Sequence, residues 1–198
     1  MTETPPPDAK FSPGWSDFTA DWFTHRIPAW RKHILPVYEG KPCRWLEIGS
    51  YEGRSALWTL QHILTHHESR ITCADIWNNP EVEARFDANL GLPATLGRFR
   101  KIKGDSKQTL RHLEPGYDVV YVDGDHQAKS AMADAVLAWP LLKSGGYMIF
   151  DDYKWNFLTQ KERETKIPAS KAIDAFLQFW RDELKIVHHD YQVIVQKL

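Results

Sequence analysis

A chain of 198 residues is long enough for one domain with a full hydrophobic core. Its 25 basic and 26 acidic side chains nearly balance, at a formal net charge of −1, so neither nucleic acid nor an anionic membrane is implied as a partner. The two cysteines, Cys43 and Cys73, are too few for a disulfide scaffold, and we expect both to be buried, reduced thiols in strands.

The amino-terminal residues divide into a polar stretch and an aromatic one. Residues 1–14 are rich in proline and lack the apolar run of a signal peptide, which predicts a flexible leader on a cytoplasmic protein. Aromatic and aliphatic side chains then recur at helical spacing and predict two short helices, through Trp15, Phe18, Trp22 and Phe23 and through Ile27, Trp30 and Ile34. This predicted helical cap, residues 15–40, either packs across a sheet or covers a site.

From Cys43 onward, apolar runs of strand length alternate with helical patterns. The predicted strands are 44–48, 70–76, 99–103, 117–122, 145–150, 184–187 and 192–196. The first three predicted helices follow the first strand, cover 80–90 with an end at Gly91, and begin at 107. Two more are predicted between the fourth and fifth strands and through 172–180. The run 161–166 is predicted to be a solvated loop, and His188 and His189 to lie in a hairpin turn.

These patterns predict an α/β fold, in which a mostly parallel seven-stranded sheet has helices on both faces and ends in an antiparallel hairpin. The link between the last two strands is too short for a parallel crossover. We expect residues 15–198 to form a single domain, with residues 43–198 as its core.

Two neighbouring strands of this predicted sheet run directly into acidic residues. The strands at 117–122 and 145–150 are followed by four carboxylates, those of Asp123, Asp125, Asp151 and Asp152. Carboxylates at one sheet edge repel each other unless a positive charge neutralises them. A divalent cation is the first candidate for that charge.

A glycine-containing turn follows the first strand, in the segment Glu47-Ile-Gly-Ser-Tyr-Glu-Gly-Arg-Ser55. Its Gly-x-x-x-Gly spacing differs from the Gly-x-Gly-x-x-Gly of dinucleotide-binding turns. Glu47 stands two residues before the first glycine, where an acid disfavours a phosphate and favours a cationic ligand. The turn therefore predicts a ligand site that is not a pyrophosphate site.

Two further strand ends carry polar residues at ligand-binding positions. Asp75 ends the second strand, where an acid suits the hydroxyls of a ribose, although a helix cap is an equally common role. Asp105 and Ser106 follow the third strand, where they can pair with an adenine edge, cap the helix at Lys107, or do both.

Together these features resemble the class I S-adenosylmethionine-dependent methyltransferases, over roughly residues 43–198. The closest likeness is to the small metal-dependent O-methyltransferases of the catechol and antibiotic-sugar types. The segments that carry the resemblance are 47–55, 122–126 and 145–152. Asp152 favours the sugar type, because the catechol type has asparagine there. The resemblance implies a Rossmann-like methyltransferase fold and S-adenosylmethionine as cofactor.

The resemblance also implies roles for individual residues. The cofactor-binding residues would be Glu47, Gly49, Ser50, Gly53, Ser55, Asp75, Asp105 and Ser106. A divalent metal, usually magnesium, would be held by Asp123, Asp151 and Asp152. Asp125 matches the general base of the sugar type, and His126 is a second candidate.

The leading hypothesis is a metal-assisted O-methyltransferase acting on a small hydroxylated molecule. A metal-independent methyltransferase with Asp125 or His126 as base, and a non-catalytic binder of the cofactor, remain alternatives. Substrate contacts are expected from residues 15–38 and 153–166. Nucleic-acid and membrane partners are not expected, since the basic residues at 98–103 have no matching basic helix, and a homo-oligomer is possible.

Overall fold

The sheet follows the predicted strand pattern closely. The computed structural model describes residues 17–95, 97–157 and 159–198, so the predicted leader lies outside it. Seven strands form one sheet in the order β3-β2-β1-β4-β5-β7-β6. They are β1 Arg44–Ile48, β2 Arg70–Asp75, β3 Phe99–Lys103, β4 Tyr117–Val122, β5 Leu142–Phe150, β6 Leu184–His189 and β7 Val193–Lys197.

Strands β1 to β5 are parallel to one another, and β7 enters antiparallel between β5 and β6. The predicted α/β class and its antiparallel hairpin are therefore confirmed. His188 and His189 were predicted in the hairpin turn but belong to β6. A shift in register between Ile186 and His188 lets the strand continue past that point.

Eight α-helices are described around the sheet. They are α1 Ile27–His33, α2 Leu35–Tyr38, α3 Arg54–His62, α4 Pro80–Thr95, α5 Ser106–Thr109, α6 Ala128–Ala138, α7 Gln160–Thr165 and α8 Ala169–Phe179. Short 3-10 turns lie at Thr24–Arg26, Leu110–His112 and Trp139–Leu141. None of the described helices is long and apolar enough to cross a membrane.

The prediction of a first amino-terminal helix is wrong over residues 17–23, the part of it that the structure describes, because these residues are not helical. The side chain of Asp21 accepts hydrogen bonds from the backbone N–H groups of Phe23 (3.2 Å) and Thr24 (2.9 Å) and from the Thr24 hydroxyl (2.6 Å). Such an aspartate turn competes with the hydrogen bonds of a helix. Helical structure begins only after this turn.

Two other boundaries differ from prediction. Helix α4 continues past Gly91, because this glycine does not adopt the positive φ that would end the helix. The predicted loop at 161–166 lies largely in α7, which begins with a capping box. There the Thr159 side chain accepts from the Glu162 amide, and the Glu162 side chain accepts from the Thr159 amide.

The core lies on both faces of the sheet. Alternate residues of each strand enter opposite clusters: Trp45 and Val119 pack on one side, Leu46 and Val120 on the other. Helix α1 covers the first side, where Trp30 packs against the Trp45 ring with centroids 5.1 Å apart. Cys43 and Cys73 are buried and free, as predicted, but only Cys73 lies in a strand, since Cys43 stands just before β1.

Candidate functional site

A cavity of about 760 Å³ opens at the carboxyl ends of the parallel strands, the edge at which α/β sheets bind ligands. Eleven of the predicted site residues line it: Gly49, Ser50, Ser55, Asp75, Asp105, Ser106, Asp123, Asp125, His126, Asp151 and Asp152. Glu47 and Gly53 do not line it. The fold thus brings residues from five strand ends around one space.

Gly49 allows two of these strand ends to meet. Its φ is +84°, and a Cβ added there would lie 2.0 Å from the carbonyl oxygen of Asp123. Its N–H donates to the Ala74 carbonyl at 2.8 Å, which fixes the turn against β2. A side chain at this position would force β1 and β4 apart, so glycine is required.

Asp75 holds this same turn in place. Its carboxylate accepts from the backbone N–H groups of Ser50 (2.8 Å), Tyr51 (2.9 Å) and Trp77 (2.8 Å). About four acceptor positions exist on a carboxylate, so little more than one is left for a ligand hydroxyl. The residue predicted to bind ribose is therefore also a brace for the glycine turn.

Glu47 and Gly53 support the turn from beneath. Glu47 is fully buried and accepts a hydrogen bond from the Ser55 hydroxyl at 3.0 Å. Burial raises its pKa to about 8. Gly53 faces helix α4, since a Cβ there would lie 2.7 Å from a Leu90 methyl carbon. Both residues therefore shape the turn from outside the cavity wall.

Asp105 and Ser106 stand at the start of α5. Asp105 caps this helix by accepting from the Lys107 N–H at 2.9 Å, which is the capping role considered from the sequence. The Ser106 hydroxyl donates to Asp134 at 2.6 Å. Burial raises the pKa of Asp134 to about 6. Asp134 also lines the cavity, although no motif marks it in the sequence.

At the other end of the cavity, Arg26 pairs with the acids that follow β5. Its Nε lies 2.9 Å from Oδ1 of Asp151, and its Nη2 lies 3.4 Å from Oδ1 of Asp152. Arg26 is only 5% exposed, and its guanidinium lies 3.6 Å from the centre of the Tyr191 ring. Burial opposes its charge, but the charge of Asp151 and the hydrogen bonds with Tyr191 and Asp151 together outweigh burial and raise the pKa of Arg26. The chain therefore supplies a cation of its own to this acidic pair.

Asp151 is surrounded by donors. Its Oδ1 accepts from the Asp152 N–H at 2.7 Å and faces Arg26, while its Oδ2 accepts from the Tyr121 hydroxyl and from Gln192 Nε2 at 3.1 Å. The Tyr121 hydroxyl also lies 2.8 Å from Oδ2 of Asp123 but has a single proton to donate. Burial, followed by the charge of Asp151, raises the pKa of Asp123 well above its usual range, which favours its protonated form.

The predicted magnesium ligands do not fit a metal in this arrangement. Magnesium needs oxygen atoms free for octahedral coordination at about 2.1 Å. The oxygens of Asp151 already contact four donors, and those of Asp152 face Arg26 and His126. Within the described residues, the three predicted aspartates do not form a group in which one oxygen from each lies within 4.8 Å of both others. The repulsion that suggested a metal is instead relieved by Arg26.

His126 and Asp125, the two candidate bases, differ in their partners. Nδ1 of His126 lies 2.5 Å from Oδ2 of Asp152, and this contact raises the pKa of the imidazole. Asp125 instead accepts from the Gln127 N–H at 3.2 Å and the Ser130 hydroxyl at 2.9 Å. His126 thus has an orienting carboxylate, whereas Asp125 holds the start of α6.

Residues 17–26 lie over the glycine turn. Glu52 accepts hydrogen bonds at 2.7 Å from both the N–H and the hydroxyl of Thr19. The Trp22 ring packs on Tyr51, with centroids 5.1 Å apart. Since α1 packs on the sheet, both roles considered for the amino-terminal part hold: it packs across the sheet and covers the site.

Comparisons with known proteins identify the family and the fold. A family model described as a methyltransferase domain matches residues 46–153, more than half of the chain. An uncharacterised protein, R132, of Acanthamoeba polyphaga mimivirus is 40% identical over 126 residues. That match covers 62% of this chain but only 57% of the relative, so the chain spans less than two thirds of the relative's length.

Solved methyltransferases share the fold. The S-adenosylhomocysteine-bound methyltransferase PaMTH1 of Podospora anserina superposes with a TM-score of 0.63 at 20% identity, over 79% of this chain and 72% of that one. MycE, from the mycinamycin biosynthetic pathway, was solved with magnesium, S-adenosylhomocysteine and mycinamycin VI. It superposes with a TM-score of 0.60 at 20% identity, over 90% of this chain and 50% of that one. Since the family model covers more than half of the chain, the chain belongs to the family of methyltransferase domains, and its seven-stranded sheet has the fold of the solved methyltransferases.

Proposed function

We propose that the protein transfers a methyl group from S-adenosylmethionine to a hydroxyl of a small molecule, with His126 as the general base. The observation that carries this proposal is the contact between His126 and Asp152 in the cavity wall. A carboxylate at Nδ1 keeps the proton on that nitrogen and leaves Nε2 as an acceptor. His126 is then poised to remove a proton from an acceptor that binds beside it.

A paired base favours a hydroxyl over an amine as the methyl acceptor. A neutral amine has a lone pair ready for attack, whereas a hydroxyl is a weak nucleophile until its proton leaves. A positioned general base accelerates such a step by roughly a hundred- to ten-thousand-fold. The pair of His126 and Asp152 would have less to contribute to methylation of an amine.

The two ends of the cavity suggest how the ligands divide it. The predicted cofactor residues Gly49, Asp75 and Asp105 lie along one end, and S-adenosylmethionine would supply there an electrophilic methyl group on a sulfonium. The acceptor would occupy the other end, beside His126 and Trp155, whose rings pack with centroids 4.7 Å apart. A cavity of about 760 Å³ is within the size range of sites for small organic ligands.

A small acceptor fits the surface charges better than a nucleic acid does. The basic edge strand β3 carries Lys101 and Lys103, and both pair with Glu83 on helix α4, at 2.9 and 2.5 Å. Asp87 adds a second acidic partner for Lys101 at 2.6 Å. MycE, which was solved with mycinamycin VI, is a similar protein with a small organic ligand.

The proposal is tested by cofactor binding and by turnover. S-adenosylhomocysteine should bind in calorimetry, and methyl transfer should be detected on part of a panel of catechols, sugars and macrolide glycosides. His126→Gln should lower kcat by roughly a hundred- to ten-thousand-fold with little change in cofactor affinity. His112→Gln is the matched control, because His112 is exposed and lies outside the cavity lining.

Other outcomes would replace this proposal. Turnover on amines alone would contradict the choice of acceptor, and an unaffected His126→Gln would contradict the choice of base. Cofactor binding without transfer to any hydroxyl would favour the non-catalytic binder considered from the sequence.

A further inference from the structure

We propose that Arg26 takes the place of a divalent cation in this site. In this role its guanidinium neutralises Asp151 and Asp152, and its Nη1 donates a hydrogen bond to the acceptor oxygen. Methyl transfer would then require no metal. The second part rests on the proposed O-methylation, whereas the replacement of the metal is independent of it.

The contacts of Arg26 are those of a resident counter-charge. Nε and Nη2 of Arg26 contact Oδ1 atoms of two different carboxylates, and all three side chains are nearly buried. Removing one partner of such a buried pair leaves an uncompensated buried charge and is strongly destabilising. An arginine also stays protonated at any physiological pH, so the carboxylates are never left without it.

Arg26 and a metal would compete for the same oxygen atoms. A divalent cation bound to Asp151 and Asp152 would have to displace the guanidinium from both Oδ1 atoms. The other oxygen of Asp152, Oδ2, already contacts Nδ1 of His126. If Arg26 stayed nearby, two cations would repel each other in a site with little water to screen them.

One nitrogen of Arg26 is left for a ligand. Nη1 is buried and has no hydrogen-bond partner among the described residues, although Arg26 lines the cavity. A buried donor without a partner is unfavourable, and an oxygen atom from a ligand would supply the missing acceptor. Nη2 of the same guanidinium contacts Asp152, which also contacts His126, so Arg26 and the proposed base share one carboxylate partner.

With these residues, methyl transfer can occur in a single step. The acceptor O–H bond breaks as the proton passes to Nε2 of His126. The acceptor oxygen forms its bond to the methyl carbon as the carbon–sulfur bond breaks and leaves a neutral thioether. Throughout, the Nη1–H of Arg26 stabilises the negative charge that develops on the oxygen, as a metal ion does in metal-dependent enzymes.

The test of metal replacement measures binding of Mn²⁺ alone, by electron paramagnetic resonance, in the presence of S-adenosylhomocysteine. The wild-type protein should show no saturable binding at millimolar Mn²⁺. Arg26→Met uncovers the two carboxylates and should raise the affinity for Mn²⁺ at least about tenfold. Arg54→Met is the matched control without this gain, because Arg54 also lines the cavity but pairs with Asp21 at 3.2 Å.

Stoichiometric Mn²⁺ binding by the wild-type protein would overturn the proposal, and so would an Arg26→Met protein that folds but gains no affinity. If Arg26→Met fails to fold, the wild-type titration still decides. Loss of cofactor binding or of all methyl transfer would instead overturn the proposed function, and it would leave the Mn²⁺ result standing.

Activity provides a second, independent measurement. With an acceptor found in the hydroxyl panel, thorough treatment with a chelator should leave the initial rate unchanged. Arg26→Lys keeps the charge but loses the planar donor, so kcat should fall about tenfold or more while affinity for S-adenosylhomocysteine is kept. A rate abolished by the chelator and restored by Mg²⁺ would contradict the proposal, as would full activity of Arg26→Lys.

Discussion

The two ends of the cavity are built in different ways. At the glycine-turn end, Asp75 reaches Ser50 across 25 residues of sequence, within consecutive units of the sheet. At the acidic end, Arg26 reaches Asp151 across 125 residues. The glycine turn at the first end lies within the segment 46–153 that the family model matches, and the second end is completed by a residue from outside that segment.

This difference shows that a family motif does not by itself determine the chemistry beside it. Asp151 and Asp152 stand where a resemblance to metal-dependent enzymes places metal ligands. Their immediate surroundings are nevertheless set by Arg26, Tyr121 and Gln192, which the motif does not include. Variants at each end should therefore have separable effects on cofactor binding and on catalysis.

The largest effect is expected from Gly49→Ala, at the glycine-turn end. The added methyl group would lie 2.0 Å from the Asp123 carbonyl oxygen, so affinity for S-adenosylhomocysteine should fall at least about a hundredfold in calorimetry. Gly40→Ala is the control, since Gly40 has a similar φ of +71° but nothing within 4 Å. Equal losses in both variants would attribute the effect to backbone conformation rather than to the contact with β4.

A smaller and purely catalytic effect is expected from Asp152→Asn, at the acidic end. The rate should rise with pH as His126 loses its proton, and the contact with Asp152 places that rise above the ordinary pKa of 6.5. Asparagine carries no charge, so it removes the contribution of Asp152 to the raised pKa of His126, while the weaker effects of Asp125 and Asp151 on that pKa remain. The rise should therefore move to lower pH, and the maximal rate should fall about tenfold or more.

The measurement is a profile of kcat/KM against pH for both proteins, with cofactor affinity determined in parallel. A profile that does not move on substitution would exclude His126 as the group that titrates. A large loss of cofactor affinity would show that the two ends of the cavity are coupled.

A third prediction concerns residues 17–26, which lie over the glycine turn at one end of the cavity and lead to Arg26 at the other. Glu52→Ala removes the acceptor of two hydrogen bonds from Thr19, which should lower the free energy of unfolding by about 2 kcal/mol. Thermal melting should shift down by roughly 4–8 °C for a chain of this size. The exposed Glu39→Ala is the control and should change little. An unchanged melting temperature would mean that these bonds do not hold residues 17–26.

The smallest effect is expected beneath the glycine turn, from Glu47→Gln. The folded protein keeps the Glu47 proton up to a pKa of about 8, whereas the unfolded chain releases it near 4.5. Wild-type stability therefore falls as pH rises from about 4.5 to 8, because the unfolded state binds fewer protons. The neutral amide of the Glu47→Gln variant does not titrate, so this loss of stability with rising pH does not occur in the variant.

Glu47→Gln should accordingly match the wild type at pH 5 and be more stable at pH 7.5, by about 1 kcal/mol or more. Melting curves at the two pH values check this. A difference in stability that does not depend on pH would mean that Glu47 is already ionised in the folded protein.

Much of the fold could be predicted because its signals are local. The apolar runs gave all seven strands, and the short link after β6 gave the hairpin. Helix α7 also has a local signal, the Thr159-Gln-Lys-Glu162 capping-box pattern, although the mixed charges of 161–166 favour a solvated loop. The helix expected through Trp22 was wrong because Asp21 forms a competing turn.

The site could be predicted only in part. Eleven residues expected from strand ends do line the cavity, since the carboxyl ends of parallel strands must meet at one edge. Arg26 could not be found, because nothing in its neighbourhood distinguishes it from a surface arginine on an aromatic helix. Electrostatic repulsion correctly indicated that the acids need a counter-charge, but it could not tell a metal ion from a distant side chain.

The position of β7 has a consequence for the order in which the protein folds. This strand lies between β5 and β6, and Gln192, just before it, contacts both Trp30 and Asp151. Contacts between distant residues form later than local ones, because closing a longer loop costs more entropy. During refolding, the glycine turn and its braces should be complete before Arg26 meets the acids, so competence to bind the cofactor should return earlier than competence to transfer the methyl group.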